Sequence, residues 1–339
     1  MALASKTFRI FVSSTFSDLK EERNALQKHV FPKLRELCMQ HGCRFQAIDL
    51  RWGVRDEASL DQQTMKICLE EIARCQRVTP RPNFIVLLGD RYGWCPLPHE
   101  IPAYEFKRIL TNISSDADRE LLTNWYKRDD NALPPVYDLQ PRIGDYTTWA
   151  NWQSVENRLR SILIHTIEQM ILSEDENSKY LASATEREII RGALKVKDAK
   201  DHVFCFFRTI RDLPQNESSK DFVDLLRVNG VWSPDTQARE RLQQLKEVKL
   251  RPRLSDNVFD YEAFWKVDHI TTTHIYRLCE DVLENLTRVI KAKIAQIKEA
   301  NLLEREIESH DAFGEDRSRF FIGRASILQA IDDLSLIHI

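Results

Sequence analysis

The chain has 339 residues, 42% hydrophobic and 30% charged, with 49 Lys+Arg against 52 Asp+Glu and a formal net charge of -3. These values fit one or two folded domains and are far from a disordered composition, and the balanced charge gives no overall attraction to nucleic acid or to an anionic membrane. No stretch approaches 18 uninterrupted apolar residues and no cleavable leader pattern precedes the first strand, so neither secretion nor membrane spanning is expected and a cytoplasmic protein is.

In chain order, Phe8 to Ser13 (FRIFVS) is a β-rich run, and Ser-Ser-Thr leads into Ser17 and Asp18, residue types that cap helices, with Glu21 and Glu22 in the first turn. Leu26, Val30, Leu34 and Leu37 then recur at helical spacing as far as His41, with Gly42 as the stop and Pro32 as an expected kink. Arg44 to Leu50 predicts a second strand, and Leu60 to Cys75 a helix with Met65, Leu69, Ile72 and Cys75 facing inward. Asn83 to Gly89 (NFIVLLG) is almost continuously apolar, as a central strand covered on both faces should be. A fourth strand of that quality comes only at His202 to Ile210, which makes about 103–200 a helical insertion.

Alternating strands and helices specify a doubly wound parallel sheet of flavodoxin type. Its domain is expected over 7–215, followed by a helical linker over 216–310. The linker's longest helix starts at His274, and its stripe of Leu278, Val282, Leu286, Ile290, Ile294 and Ile297 requires a partner surface. Seven cysteines, at 38, 43, 68, 75, 95, 205 and 279, sit mostly within apolar periodic segments and read as reduced, buried thiols.

Ligands bind open parallel sheets outside the carboxyl ends of the strands, which draws attention to two hexapeptides. In DLRWGV, after the second strand, Asp49 and Arg51 could form a polar rim, with Trp52 as an aromatic wall. The structural alternative is an internal Asp49–Arg51 pair with Trp52 in the core. In GDRYGW, after the third strand, Gly89 and Gly93 allow close approach and Arg91 can act as an anion fork, beside Asp90, Tyr92 and Trp94. A rigid, ion-paired loop fits the same residues. Glu100, between Pro98 and Pro102, could be a general base or nucleophile, or the first-turn acid of a helix. There is no G-x-x-x-x-G-K-[ST], no G-x-G-x-x-G, no G-x-S-x-G and no zinc-type spacing of Cys and His.

FRIFVSSTFSDLKEERNAL, AIDLRWGV, CLEEIARC and FIVLLGDRYGW, in this order, resemble the N-terminal domain of unknown function (DUF4062-like) that precedes NACHT-type ATPases with WD repeats. The same domain is seen in telomerase-associated protein and nephrocystin-3. HVFCFFRTIRDLP, Tyr261 to Trp265 and the helix from His274 are similar to that group as well. The resemblance implies a regulatory or protein-interaction module, working through protein partners or self-association, that binds no cofactor itself and is followed by an ATP-binding NACHT module. Residues 318–339, with Phe320 to Arg324 (FFIGR), would be the start of that module and the chain a piece of a longer protein. The domain is also distantly similar to TIR domains, whose catalytic members cleave NAD with a glutamate after the third strand. Glu100 is the nearest match, although its flanking prolines depart from that pattern. An NAD glycohydrolase using Glu100, with a small-molecule ligand held at the rim by Arg51, Trp52 and Arg91, is therefore the second expectation.

Overall fold

A computed structural model of the chain describes residues 6–50, 62–79, 81–170, 172–228 and 230–299, with a few isolated positions beyond. Strand β1 (Thr7–Ser14) leads into helix α1 (Lys20–Ala25), a π-helical turn (Leu26–Val30) and α2 (Phe31–Gln40). Pro32 lies in the first turn of α2, where a missing N–H does least harm, so the expected kink becomes a π turn just before it. Gly42, at φ +70°, ends the helix as expected. Then come β2 (Arg44–Ile48), α3 (Thr64–Val78) and β3 (Phe84–Leu88).

An excursion follows: β4 (Glu100–Pro102), α4 (Ala103–Asn112), α5 (Asp116–Trp125), β5 (Tyr126–Asp129), β6 (Val136–Leu139), α6 (Trp149–Glu168) and α7 (Glu174–Leu181). The chain returns through α8 (Ala184–Ile189) and a second π turn (Ile190–Leu194) to β7 (Phe204–Arg211). A small hairpin of β8 (Leu225–Val228) and β9 (Val231–Pro234) precedes α9 (Thr236–Gln243), a third π-helical segment (Gln244–Leu250) and α10 (Arg251–Leu254). Last come β10 (Val258–Lys266), β11 (His269–Ile270) and α11 (Thr273–Glu299).

The main sheet has the order β11-β10-β7-β3-β1-β2, all parallel except the edge strand β11. Read over its five parallel strands this is the flavodoxin-like order 2-1-3-4-5. Each central strand feeds both faces, because successive side chains point to opposite sides. Phe8, Ile10, Val12, Ile85, Leu87, Phe204 and Phe206 pack against the first π turn, α2 and α11, whereas Phe11, Phe84, Val86, Leu88, Cys205 and Phe207 pack against α3, α8, α9 and α10. The doubly wound expectation holds, and β3 is buried along its whole length at the centre of the sheet.

Two features differ from the sequence reading, one boundary and the make-up of the insertion. The sheet does not end before residue 215, because β10 pairs with β7 over seven residues and Leu278, Val282, Leu286, Ile290 and Ile294 of α11 are buried in the same core as β1 and β3. The region expected as a linker therefore closes the domain: the apolar stripe of α11 found its partner surface within the chain. The insertion, expected to be mostly helical, also carries strands. It has a three-stranded antiparallel sheet, β4-β6-β5, and a core of its own around Phe106, Tyr126, Trp152 and Leu163. Its strands escaped notice because they are three or four residues long, too short to set up a period. The segment expected to begin a NACHT module, 318–339, lies outside the described residues apart from isolated positions.

Gly192, in the second π turn, lies close against the sheet: a Cβ there would overlap the ring of Phe84, itself stacked on Phe11 at 5.9 Å. Gly192→Ala is expected to cost about 1–3 kcal/mol through overpacking, read as a lower urea midpoint with an unchanged slope. An unchanged midpoint would mean that this helix can move off the sheet freely.

Candidate functional site

Because β1, β2 and β3 are parallel, Asp49 leaves on one side of β1 and Gly89–Asp90 on the other, at the same carboxyl-end rim. The reversal of strand order between β1 and β3 is where such sheets usually open a ligand crevice. Here that place is filled by the chain's own charged side chains. Arg208, the one charge in the run HVFCFFRTI, is fully buried beneath the rim. Its Nη1 donates to the Asp18 carbonyl at 2.9 Å, and its guanidinium lies 3.4 Å from the Asp18 carboxylate and 3.6 Å from Glu22. His274 of α11 meets Glu22 at 2.8 Å. Beside this group, Arg23 grips both carboxylate oxygens of Asp49, with Nε 3.1 Å from Oδ2, and donates from Nη1 to Ser14 Oγ at 2.5 Å.

Burial pushes the Asp18 carboxyl up to about 6, against the pull of Arg208. On the other face, Glu188 accepts a 2.6 Å hydrogen bond from Ser13 Oγ, and burial pushes its carboxyl up to about 7 although that bond holds it down. The Ser-Ser-Thr turn is thus engaged inside the protein: Ser13 with Glu188, Ser14 with Arg23, and Thr15 with Asp18. Gly89 has no positive φ to satisfy. Its role is space, since a Cβ there would collide with Asp18 and Arg208.

The GDRYGW loop folds around one internal carboxylate. Asp224 accepts from Arg91 Nε at 3.2 Å and from the backbone N–H groups of Tyr92 at 2.6 Å and Gly93 at 3.2 Å. The anion that Arg91 was expected to fork is therefore part of the chain. Asp90 accepts from the Ile210 backbone N–H at 2.8 Å, and burial raises its carboxyl above the usual range. Tyr92 is buried and bonds to Glu186, while the Trp94 indole, half-exposed, donates to Glu156 at 2.9 Å. Arg51 and Trp52, and with them the expected Asp49–Arg51 pair, lie outside the described residues; Asp49 is held by Arg23.

Glu100 stands away from these groups. It belongs to β4 and not to the first turn of a helix, because its backbone pairs with Asp138 across the insertion's sheet. Its carboxylate is 3.0 Å from Lys66 and 3.7 Å from His99, at a cavity of about 390 Å³ also lined by Met65, Leu69 and Arg191. Burial holds the His99 imidazole below its usual range, and the bond to Glu100 raises Lys66. Arg91 is not among the lining residues, so the arrangement drawn for NAD, with Arg91 beside Glu100, is not brought together.

Sequence reasoning missed Asp18, Glu22, Arg23, Glu188, Arg208 and His274. Two signals were present: a lone Arg in an otherwise apolar central strand, and Asp18 and Glu22 four apart where the turn after β1 runs into α1. Among the described residues no cluster of His, Cys, Asp and Glu could hold a metal ion, and no helix is long and apolar enough to cross a membrane.

Replacing Glu188 tests this electrostatic picture. A carboxyl whose folded pKa is raised contributes stability that is complete below its unfolded value, near 4.5, and is lost as the pH rises through about 7. Glu188→Gln removes that dependence. The melting temperature of the variant minus that of the parent should therefore climb between pH 4.5 and 7.5, by the equivalent of roughly 3 kcal/mol at most. A flat difference would place an ionised Glu188 comfortably in the fold.

Fold and rim together define a five-stranded parallel α/β domain of flavodoxin-like order whose switch point is closed by an internal ion-pair cluster. Residues 9–114 match the family described as domain of unknown function (DUF4062). The chain is homologous to NACHT domain- and WD repeat-containing protein 1 of Mus musculus, 34% identical over 229 residues, covering 66% of this chain and 14% of the relative. NACHT and WD repeat domain-containing protein 2 of Homo sapiens is 27% identical over 369 residues, 98% of this chain and 21% of the relative. Telomerase protein component 1 of Rattus norvegicus is 35% identical over 97 residues, 29% of this chain and 4% of the relative. The chain thus spans about a fifth or less of the length of these relatives. No solved structure matches it at a significant level.

Proposed function

We propose that this domain is a non-catalytic regulatory module that acts through protein contact, self-association included, at the front of a NACHT and WD-repeat signalling ATPase of the cytoplasm. ATP would be the ligand of the NACHT module in such a protein and not of residues 6–299. The observation that carries the reading is the closed switch point. Among the described residues, Asp18, Glu22, Arg23, Asp49, Arg91 and Arg208, charged groups at the rim, are bound to one another or to Asp224. Opening them to a ligand would break buried ion pairs, at about 3–5 kcal/mol each. Similarity to NACHT and WD-repeat proteins supports the placement in a longer chain.

The competing reading, a TIR-like NAD hydrolase, rests on Glu100 at the cavity it shares with Lys66 and His99. One set of measurements separates the two. The full chain is followed by sedimentation velocity across a concentration series and, in parallel, incubated with NAD and its products resolved by chromatography beside Glu100→Gln. Concentration-dependent association without turnover is expected. A monomer at every concentration, with NAD turnover that vanishes in Glu100→Gln, would overturn the proposal.

A further inference from the structure

At the opposite, amino-terminal edge of the sheet lies a second cavity, of about 380 Å³, that the rim does not touch. Its floor is built where β3 and β7 begin, from Asn83 and His202, which are 4% and 2% exposed. Neither floor residue is satisfied. Asn83 Oδ1 and both ring nitrogens of His202 are buried without a hydrogen-bond partner, and the nearest carboxylate to His202 Nε2, that of Asp198, is 3.6 Å away. Buried polar atoms left in this state are uncommon and call for a missing partner.

The wall is cationic. Arg81, Arg191, Lys195 and Lys197 surround the opening, with Asp198 as the single acid. This local excess of positive charge runs against a chain whose net charge is negative. Arg81 pairs with Asp198, whereas the exposed Arg191 and Lys197 side chains have no hydrogen bond or ion pair among the described residues. Arg191 is carried on the second π turn, the same turn whose Gly192 presses on Phe84, so its backbone is anchored. Gln76 also donates to the Arg191 carbonyl at 2.9 Å.

We infer that this cavity binds the phosphate groups of a small polyphosphorylated molecule. Asp198 is already taken by Arg81, which leaves the charges of Arg191 and Lys197 unmatched among the described residues, and arginine forks match phosphate oxygens in pairs. Burial, helped by the charge of Arg81, holds the His202 imidazole down to about 4, so the ring is neutral and offers one N–H donor. Asn83, with its amide turned over, offers another, since amide orientation follows the partner present. The volume lies within the range of small-molecule sites and is too small for a folded partner.

The test titrates the full chain with inorganic pyrophosphate and with orthophosphate by calorimetry at low salt. Saturable binding is expected, with pyrophosphate tighter than orthophosphate by roughly ten-fold or more. The double variant Arg191→Ala with Lys197→Ala, at two exposed positions and with an unchanged melting temperature, should weaken pyrophosphate by at least about ten-fold. The His202 ring nitrogen resonances should move along the same saturation curve. Absence of saturable heat, equal affinity in the double variant, or unmoved His202 signals would each overturn the assignment. Tighter binding of a short single-stranded RNA, lost in the same variant, would replace the small ligand by a nucleic acid.

Discussion

Ending the chain at residue 272, just before α11, should abolish cooperative unfolding of the α/β domain. Leu278, Val282, Leu286, Ile290 and Ile294 are 0–4% exposed and pack on Leu26, Val30, Phe31 and Leu34 and on β1 and β3. Fully burying an aliphatic side chain of this size stabilises by about 1.5–3 kcal/mol, so five of them rival the whole stability of a domain, about 5–15 kcal/mol. The milder Leu286→Ala should lower stability by about 2–5 kcal/mol. Arg277→Ala, on the exposed side of the helix, should stay within about 0.5 kcal/mol. Circular dichroism with urea reads all three, and a truncated chain with a normal sigmoidal transition would refute the account. The consequence for function is direct. Whatever lies beyond residue 299 is joined to this domain by a helix seated in its core, so a force on that helix is felt by the sheet.

Arg208→Met should be the most damaging single change at the rim. Arg208, Asp18, Glu22 and His274 tie β7, the start of α1 and α11 into one buried group. Without the guanidinium two carboxylates remain in a dry site, and breaking such a group by removing one member costs about 3–5 kcal/mol. The loss should depend on pH. Asp18 already titrates near 6 because burial raises it while Arg208 lowers it, so losing Arg208 raises it further. A raised carboxyl contributes its stability below the unfolded value, near 3.8, and loses it as the pH climbs through the folded one. The deficit of the variant should therefore be smallest near pH 4.5 and largest by pH 7.5, in urea titrations at both. Adding Asp18→Asn and Glu22→Gln to Arg208→Met should recover much of it, since no charge is then left unpaired. Equal deficits at the two pH values would rule out charge as the cause.

The pH behaviour and the closed rim have one origin. A parallel sheet with helices on both faces leaves polar backbone and charged turns at the ends of buried strands, where groups must pair with each other or with a ligand. At the carboxyl edge the charged groups pair with each other, although Glu22 Oε2, Arg208 Nε and His274 Nδ1 keep no hydrogen-bond partner of their own. At the amino edge, Asn83 Oδ1 and both ring nitrogens of His202 are likewise unpartnered, and there they line a cavity.

The sequence by itself determined the alternation of strands and helices, the central place of NFIVLLG, the two buried faces of the sheet, the stop at Gly42 and the shared edge of Asp49 and Gly89. Those properties follow from local periodicity and from the parallel connection rule, which need no knowledge of distant contacts. Only the tertiary structure decided which partner each rim residue takes. Asp49 meets Arg23 across 26 residues, Arg91 meets Asp224 across 133 and Arg208 meets Asp18 across 190. Spacing along a chain carries no trace of such pairings, because charge attraction acts through space and any nearby acid can serve. The same holds for α11: its stripe announced a buried face, but that the covering surface would be α1, α2 and the sheet depended on the chain turning back after β11.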